Sequence, residues 1–265
     1  MSSAIRKAVL GCVDVLGLVW RLLPARVREA VVMGLFMLES RPGDPAQALR
    51  RLLRLQKRLD LVINERALAY GGGVHPKHRL MRYHDFFVDR IAAGSRVLDI
   101  GCGYGAVARS IATRVPNSTV VGVELDKGRL AQARSGEVPP NLSFVEADAT
   151  RDLPAGSWNA VVLSNVLEHI EDRVSFLKSI VAQVKPDQVL IRVPLFERDW
   201  KVALGKDLGV DYFSDPTHYI EHSPQVLTSE LTLAGLEQVE TLLIWGEIWT
   251  RCQPTASSSP TAVKK

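Results

Sequence analysis

Histidine is concentrated in three short segments of this sequence. The chain has six histidines, and the stretch HPKHRLMRYH at residues 75–84 holds His75, His78 and His84. The same stretch carries Lys77, Arg79 and Arg82 but no acidic residue. The remaining histidines are His169, His218 and His222. Imidazole removes protons well near neutral pH because its pKa lies close to that pH, so these segments are candidates for acid–base chemistry.

A glycine-rich turn lies shortly after the first histidine segment. The sequence VLDIGCGYG places Gly101, Gly103 and Gly105 directly after a predicted strand, with Asp99 two residues before the first glycine. Glycine lets the backbone turn sharply and lets a ligand approach it closely. The dinucleotide fingerprint G-x-G-x-x-G would need its third glycine one residue later, so the spacing disfavours a pyrophosphate site.

Two acidic residues follow the next two predicted strands. Glu124 ends the stretch VVGVELD, where a carboxylate can accept hydrogen bonds from both hydroxyls of a ribose. Asp148, in FVEADATRDLP, could accept from an adenine amino group while Ala149 offers its backbone N–H. The carboxyl ends of neighbouring parallel strands meet at one edge of a sheet. The sequence therefore predicts a nucleoside site at that edge.

The order of the elements indicates how these residues are positioned. Short β-branched runs alternate with helical segments beyond Ile91, which predicts a parallel, doubly wound α/β sheet. The predicted strands are RVLDI, TVVGVEL, LSFVEA, WNAVVLS and DQVLIRV, followed by the antiparallel pair EQVETLLIW and GEIWTRC. Residues 195–222 form an irregular insertion, and Ser223 is predicted to cap a helix that begins at Pro224.

Residues 1–70 differ in composition from the rest of the chain. They contain 12 Lys or Arg against 6 Asp or Glu, leaving 21 against 23 in the remainder. Apolar helices are predicted over 5–23 and 27–38, followed by a helix over 46–70. Each apolar run is shorter than a membrane-spanning helix needs, so the segment is expected to cap the catalytic domain or contact a membrane surface through residues 1–40. Asp14 and the lack of a clear cleavage site disfavour a signal peptide.

Composition limits the remaining possibilities. With 46% hydrophobic residues, most of the 265-residue chain is expected to be folded. Three widely spaced cysteines indicate neither a disulfide framework nor a zinc ribbon, so a reducing, cytoplasmic location is expected, with a membrane-peripheral one left open. The tail at residues 253–265 is predicted to be disordered.

From residue 94 to about 250 the chain resembles the class I S-adenosylmethionine-dependent methyltransferases. VLDIGCGYG, VVGVELD, EADATRDLP and WNAVVLSNVLEHIED occur in that family's order and spacing. The resemblance implies a Rossmann-like seven-stranded sheet with its last strand antiparallel, here with an N-terminal helical layer. It implies a methyltransferase domain over 71–252 that includes a lid at 71–90. It further implies that S-adenosylmethionine contacts Asp99, Gly101, Gly103, Glu124, Asp148 and Ala149.

The stretch SNVLEHIED is most similar to the small-molecule branch of the family. We expect O-methylation of a small molecule, a glycan or a lipid-linked sugar, with His169 or His218 as general base. Glu168, Asp215 or Glu221 would orient that base. The residues expected to bind the acceptor are His75, Lys77, His78, Arg79, Tyr83, His84, Asp215 and His222, with Arg82 adding positive charge.

Other functions remain open at this point. The chain could methylate nitrogen on protein or RNA, or it could be a cofactor-binding subunit without catalysis of its own. Nucleic acid is disfavoured because the [DNS]-P-P-[YF] motif of amino-methylating enzymes is replaced by SNVL and aromatic residues do not alternate with the arginines. No metal ligands are assigned, and catalytic zinc is disfavoured because the H-x-x-E-H match at residues 218–222 lies outside a peptidase-like context. A divalent ion that assists methyl transfer stays open. The sequence does not predict an oligomeric state.

Overall fold

The computed structural model describes residues 16–154 and 156–255. The chain divides into two compact units. Of the described residues, 16–63 and 207–210 belong to the first unit, and 64–206 and 211–255 to the second. Most of the predicted tail, from residue 256 onward, lies outside the described residues.

The first unit is helical, as the sequence predicts. Residues 16–21 are helical, and the start of the helix predicted over 5–23 lies outside the described residues. Helix α1 spans Ala25–Ser40 and helix α2 spans Pro45–Tyr70, whose last residues extend into the second unit. Helix α2 ends at the glycines because the N–H of Gly73 donates to the carbonyl of Leu68, a capping bond that needs positive φ. Within the described ranges no helix combines the length and apolar content needed to cross a bilayer.

The second unit is built around one seven-stranded sheet. Its strands are β1 Arg96–Ile100, β2 Thr119–Glu124, β3 Leu142–Glu146, β4 Ala160–Ser164, β5 Gln188–Pro194, β6 Leu236–Ile244 and β7 Glu247–Pro254. Their order is β3-β2-β1-β4-β5-β7-β6. Strands β1 to β5 pair in parallel, and β7 runs antiparallel to both of its neighbours. The predicted fold class is confirmed, and β7 continues through Gln253 and Pro254 beyond the predicted domain boundary at 252.

Helices precede the first strand or connect consecutive strands, and they cover both faces of the sheet. They are α3 Lys77–Met81, α4 Tyr83–Val88, α5 Ala106–Arg114, α6 Lys127–Ala133, α7 Arg173–Ser179, α8 Trp200–Asp207 and α9 Pro224–Leu233. Helix α9 begins as predicted, since the Ser223 hydroxyl accepts from the N–H of Val226. The insertion at 195–222 is more regular than predicted because it contains α8.

The parallel strands are apolar throughout because both of their faces are covered. Alternate residues of β1 enter different cores: Leu98 and Ile100 pack with Leu163 on one face, whereas Val97 packs with Phe87 on the other. These side chains are almost fully buried. The two cores fix the strands, so the loops at their carboxyl ends start from defined positions.

Candidate active site

The turn after β1 requires glycine at two positions. Gly101 has φ +68°, and a Cβ there would lie 2.7 Å from a methyl group of Val166. Gly105 has φ +77°, and its Cβ would lie 2.6 Å from the ring of Phe144. Gly103 also has positive φ, but a Cβ there would meet nothing within 4 Å. Gly101 and Gly105 therefore allow close packing of neighbouring side chains, whereas Gly103 faces open space.

Asp99 is buried beneath this turn without a hydrogen-bond partner. Its residue exposure is 1%, and neither carboxylate oxygen has a partner among the described residues. Burial, with a smaller contribution from the charge of Glu124, raises the pKa of Asp99 to about 7. An unpartnered buried carboxyl is costly, so this group is suited to accept a hydrogen bond from a bound ligand.

Glu124 joins the glycine turn to the end of β2. One carboxylate oxygen, Oε2, accepts from the N–H of Gly103 at 2.8 Å, and Oε1 accepts from the N–H of Asp126 at 2.8 Å. The residue is 7% exposed. These bonds hold the carboxylate at the edge of the sheet, beside the open space at Gly103.

Asp148 and Ala149 follow the next strand at the same edge. Strands β2 and β3 are in parallel register with Glu124 opposite Glu146, and the N–H of Ala147 donates to the carbonyl of Glu124 at 3.3 Å. Oδ1 of Asp148 accepts from the hydroxyl and the N–H of Thr150, and these bonds lower the pKa of Asp148. Both Asp148 and Ala149 are partly exposed. Glu124 and Asp148 thus lie at neighbouring strand ends.

The insertion brings a second group of residues to the loop after β4. His169, Thr217, His218 and Glu221 form what we call the insertion cluster. The rings of His169 and His218 lie 4.5 Å apart, centroid to centroid, at 81°. Nδ1 of His169 is 2.9 Å from Oγ1 of Thr217, and Nδ1 of His218 is 3.2 Å from Oε1 of Glu221. Of the three carboxylates predicted to orient these histidines, Glu221 makes the direct contact.

The hydrogen bonds of the insertion cluster show that Nδ1 is the donating nitrogen in both rings. The hydroxyl of Thr217 donates to Oδ1 of Asp215, so it must accept from Nδ1–H of His169. A carboxylate only accepts, so Nδ1 of His218 donates to Glu221. Burial is the main cause that lowers the pKa of His169, which is therefore neutral at pH 7. Its Nε2 is left with a free lone pair.

Glu168 lies beside the insertion cluster and is fully buried. Neither of its carboxylate oxygens has a partner among the described residues. Burial raises the pKa of Glu168 to about 8. Ligand atoms of Glu168, His169 and His218 all lie within 4.8 Å of one another. The sequence analysis assigned no metal ligands, but these three donors could hold a metal ion.

The lid segment forms a separate polar cluster. Nδ1 of His78 is 2.7 Å from the hydroxyl of Tyr83 and 3.2 Å from Nε2 of His84. Nδ1 of His84 is in turn 2.7 Å from the hydroxyl of Ser110. We call His78, Tyr83, His84 and Ser110 the lid cluster. The described contacts join four of the six histidines in two pairs, His78 with His84 in the lid cluster and His169 with His218 in the insertion cluster.

The other predicted acceptor residues have different surroundings. Nε2 of His75 contacts Oδ1 of Asn64 at 3.2 Å, and its Nδ1 accepts from the N–H of Lys77. Arg79 is exposed. His222 is fully buried, and its Nε2 lies 3.1 Å from Oε2 of Glu230. The role of each in acceptor binding stays a prediction.

Arg192 is a site residue that the sequence analysis did not single out. It lies on β5, is 4% exposed, and makes two 2.6 Å bonds to the carboxylate of Glu247. Its guanidinium carbon is 3.8 Å from the ring centre of Tyr83, and its Nη1 donates to the hydroxyl of Ser164 at 3.3 Å. Burial is the main cause that lowers the pKa values of His78 and His84, and the positive charge of Arg192 lowers them further. At Glu168 the same charge partly offsets the rise in pKa that burial causes. An arginine within the apolar run VLIRVP is the signal that could have identified it.

Known proteins match the part of the chain that carries these residues. Residues 98–191 match the methyltransferase domain family. The ubiquinone biosynthesis O-methyltransferase of Chromobacterium violaceum is 37% identical over 144 residues, which cover 52% of this chain and 60% of that protein. The enzyme of that name from Aromatoleum aromaticum is 31% identical over 181 residues, covering 63% of this chain and 75% of that protein.

The fold also matches solved structures. Human N-acetylserotonin methyltransferase in complex with S-adenosylmethionine superposes with a TM-score of 0.53 at 18% identity, covering 65% of this chain and 52% of that one. At this identity the match shows the fold alone. The chain spans less than two thirds of the length of the Chromobacterium relative.

The residues present fit S-adenosylmethionine. The unpartnered carboxyl of Asp99 and the open space at Gly103 lie beside the carboxylate of Glu124. The individual contacts of the six predicted cofactor residues stay predictions. The strand order, the glycine turn and the relatives together show that the chain belongs to the class I S-adenosylmethionine-dependent methyltransferase family.

Proposed function

We propose that this chain transfers the methyl group of S-adenosylmethionine to a hydroxyl oxygen of a small molecule, a glycan or a lipid-linked sugar. The observation that carries the proposal is the meeting of two loops. The glycine turn after β1 contacts the loop after β4, since a Cβ on Gly101 would touch Val166. His169 follows Val166 by three residues, so the nucleoside edge and the insertion cluster are neighbours. The O-methyltransferase names of the relatives support oxygen as the acceptor atom.

The bound cofactor supplies an electrophilic methyl group on a positively charged sulfur. Glu124 would hold the ribose, Asp148 and Ala149 the adenine, and Asp99, Gly101 and Gly103 the amino acid part and its surrounding turn. These contacts would fix the direction from which an acceptor approaches, which is the main requirement of an in-line displacement.

The chain's own groups would remove the acceptor proton. The free Nε2 of His169 would take the hydroxyl proton as the oxygen gives an electron pair to the methyl carbon. The carbon–sulfur bond breaks with its pair remaining on sulfur, so the sulfonium charge is neutralised. Thr217 and Asp215 hold the ring of His169, and Glu221 holds that of His218. Lys77, Arg79 and the lid cluster would bind an anionic part of the acceptor.

The test is to identify the labelled acceptor. The full chain is incubated with methyl-labelled S-adenosylmethionine and separate lipid, glycan, small-molecule, protein and RNA fractions. The proposal expects label in a glycan, lipid or small-molecule fraction, lost by about 10²–10⁴-fold in His169→Ala or His218→Ala. Glu171→Gln, an exposed change near the same loop, should leave the label intact.

Other outcomes would contradict the proposal. Label confined to protein or RNA would support the nitrogen-methylating alternative. Binding of S-adenosylmethionine without transfer to any fraction would support a non-catalytic subunit. Rates close to wild type in both histidine variants would exclude these residues as the base.

We also propose that residues 1–40 contact an anionic membrane surface, of which 1–15 lie outside the described residues. Helix α1 has no buried residue, and Val31, Met33 and Leu35 are among its exposed apolar side chains. Arg21 and Arg26 are exposed near its start. Apolar side chains beside arginines are the combination that binds interfacial membrane surfaces.

Vesicle sedimentation tests the membrane contact. The full chain should sediment with vesicles containing anionic phospholipid, and less with neutral ones or at high salt. Met33→Glu should reduce this binding, whereas Leu233→Glu, an exposed change on α9, should not. Equal sedimentation of the two variants would contradict the proposed contact.

A further inference from the structure

Three potential metal ligands converge from two distant parts of the chain. Glu168 and His169 lie in the turn after β4, and His218 comes from the insertion. One ligand atom from each lies within 4.8 Å of the others. This set contains two imidazole nitrogens and one carboxylate oxygen, which is a donor set typical of first-row divalent transition metals.

In both histidines Nδ1 is already engaged in a hydrogen bond. Nδ1–H of His169 donates to Thr217 and Nδ1–H of His218 donates to Glu221, so Nε2 is the nitrogen of each ring that remains available to a metal. Histidines that bind metals usually donate their other ring N–H to a carboxylate or another acceptor, which fixes the ring.

The supporting residues are themselves held in place. Glu221 is buried and also accepts from Arg198 at 2.6 Å and from the hydroxyl of Ser214 at 3.0 Å. Thr217 is held by Asp215 at 2.6 Å. The orientation of both rings is therefore determined by a network that involves neither Glu168 nor the free nitrogens.

Glu168 provides the independent observation. Its side chain is fully buried, and neither oxygen has a hydrogen-bond partner within the described part of the chain. Buried carboxylates in proteins are normally paired, hydrogen-bonded or bound to a metal. Neither His169 nor His218 hydrogen-bonds to Glu168 in the described structure, and a cation between the three groups would satisfy all of them.

We infer that Glu168, His169 and His218 bind one divalent transition-metal ion and that this ion holds the acceptor oxygen. Metal–ligand bonds of about 2.0–2.2 Å connect ligand atoms up to roughly 4 Å apart, so small side-chain rotations bring the three donors within range. Three protein ligands leave coordination positions open for oxygen atoms of the acceptor.

This inference rests on the proposed function for its catalytic consequence and changes the role of the histidines. With the ion bound, His169 and His218 are ligands rather than bases. The ion lowers the pKa of the acceptor hydroxyl, and the proton leaves to solvent. The oxygen then forms its bond to the methyl carbon as the carbon–sulfur bond breaks, so charge and atoms balance as before.

Manganese binding tests the site without requiring an acceptor. The full chain is treated with EDTA, dialysed and titrated with Mn²⁺, with free Mn²⁺ followed by electron paramagnetic resonance. We expect one ion per chain. Glu168→Gln and His218→Ala should weaken binding at least tenfold, while Glu171→Gln should bind as wild type does. Thr217→Val keeps all three ligands but removes the support of His169, and should weaken binding by about 10–100-fold.

Glu168→Gln preserves the shape of the buried side chain, so its circular dichroism and melting temperature show whether the variant is folded. Failure of the wild-type chain to bind either Mn²⁺ or Zn²⁺ would overturn the inference. Binding unchanged in folded Glu168→Gln and His218→Ala would overturn it as well.

The catalytic part is tested separately from the proposed function. Once an acceptor is known, EDTA should abolish methyl transfer and added Mn²⁺ should restore it. Undiminished transfer in EDTA would refute the cation's role while leaving the proposed function intact. A chain that binds Mn²⁺ through these residues but labels no acceptor would contradict the proposed function and leave the ion site in place.

Discussion

The backbone N–H of Gly103 donates to the carboxylate of Glu124 at 2.8 Å, which ties the turn after β1 to the end of β2. The carboxylate that is expected to hold a ribose is therefore part of the same structure as the glycine turn. A substitution at Glu124 therefore removes the expected ribose contact and the support of the glycine turn together.

Glu124→Gln should weaken the binding of S-adenosylmethionine. Hydrogen bonds to a charged group contribute about 1.5–3 kcal/mol each, so the loss should be about 10–100-fold in affinity. Calorimetric titration measures it. Glu146 lies opposite Glu124 in the neighbouring strand but is exposed, so Glu146→Gln serves as the control and should bind normally. Equal affinity of the two variants would rule out the role of Glu124.

Gly101→Ala and Gly103→Ala should differ in their effects. Each places a side chain at positive φ, which costs about 1–2 kcal/mol. Gly101→Ala also overlaps Val166, which adds about 1–3 kcal/mol of destabilisation in urea unfolding. Adding Val166→Ala should recover part of that loss. Gly103→Ala has no such overlap, so its main effect should be on cofactor affinity. If the two single variants had the same free energy of unfolding, the predicted overlap of Gly101→Ala with Val166 would be wrong.

Arg192→Met should destabilise the protein strongly. The substitution leaves the largely buried carboxylate of Glu247 without its ion-pair partner. Breaking such a pair costs about 3–5 kcal/mol. The double variant Arg192→Met with Glu247→Met should lose less than the single one, because neither charge is then left buried. Lys127→Met breaks an exposed pair with Glu146 and should cost at most about 1 kcal/mol. Urea unfolding of the four proteins gives the comparison.

His84 should make stability depend on pH. Burial lowers the pKa of His84 to about 4, whereas in the unfolded chain it stays near 6.5. Between these values only the unfolded state binds the proton, so the free energy of unfolding falls as pH drops from about 6.5 to 4 and is retained above 6.5. Since the ring is partly exposed, we discount the full shift and expect about 1–2 kcal/mol.

His84→Gln should remove this dependence. The free energy of unfolding of the wild type, relative to that of the variant, should be about 1–2 kcal/mol lower at pH 4.5 than at pH 7. His75→Gln removes a more exposed ring and should show a smaller change. A difference between wild type and His84→Gln that is independent of pH would mean that His84 does not titrate in this range.

Several parts of the fold could be read from the sequence because they depend on local pattern. Continuous apolar runs predicted β4 and β5, since strands covered on both faces have no polar side. Ser223 and Pro224 predicted the start of α9. The regular helix α8 was missed because Trp200–Asp207 has no clear amphipathic pattern.

By itself, the sequence determined the seven-stranded sheet, the glycine turn and the placement of Glu124 and Asp148 at neighbouring strand ends, because strand order and the alternation of β and α segments decide which loops share an edge. Only the tertiary structure decided which histidines meet. His169 pairs with His218 through a contact between two segments whose separation in sequence carries no geometric information. His78 and His84 belong to one segment, and the orientation of helices α3 and α4 brings their rings together. The tertiary structure likewise decided that Glu168 is buried without a partner and that Arg192 lies against Tyr83, because burial depends on packing across the whole domain.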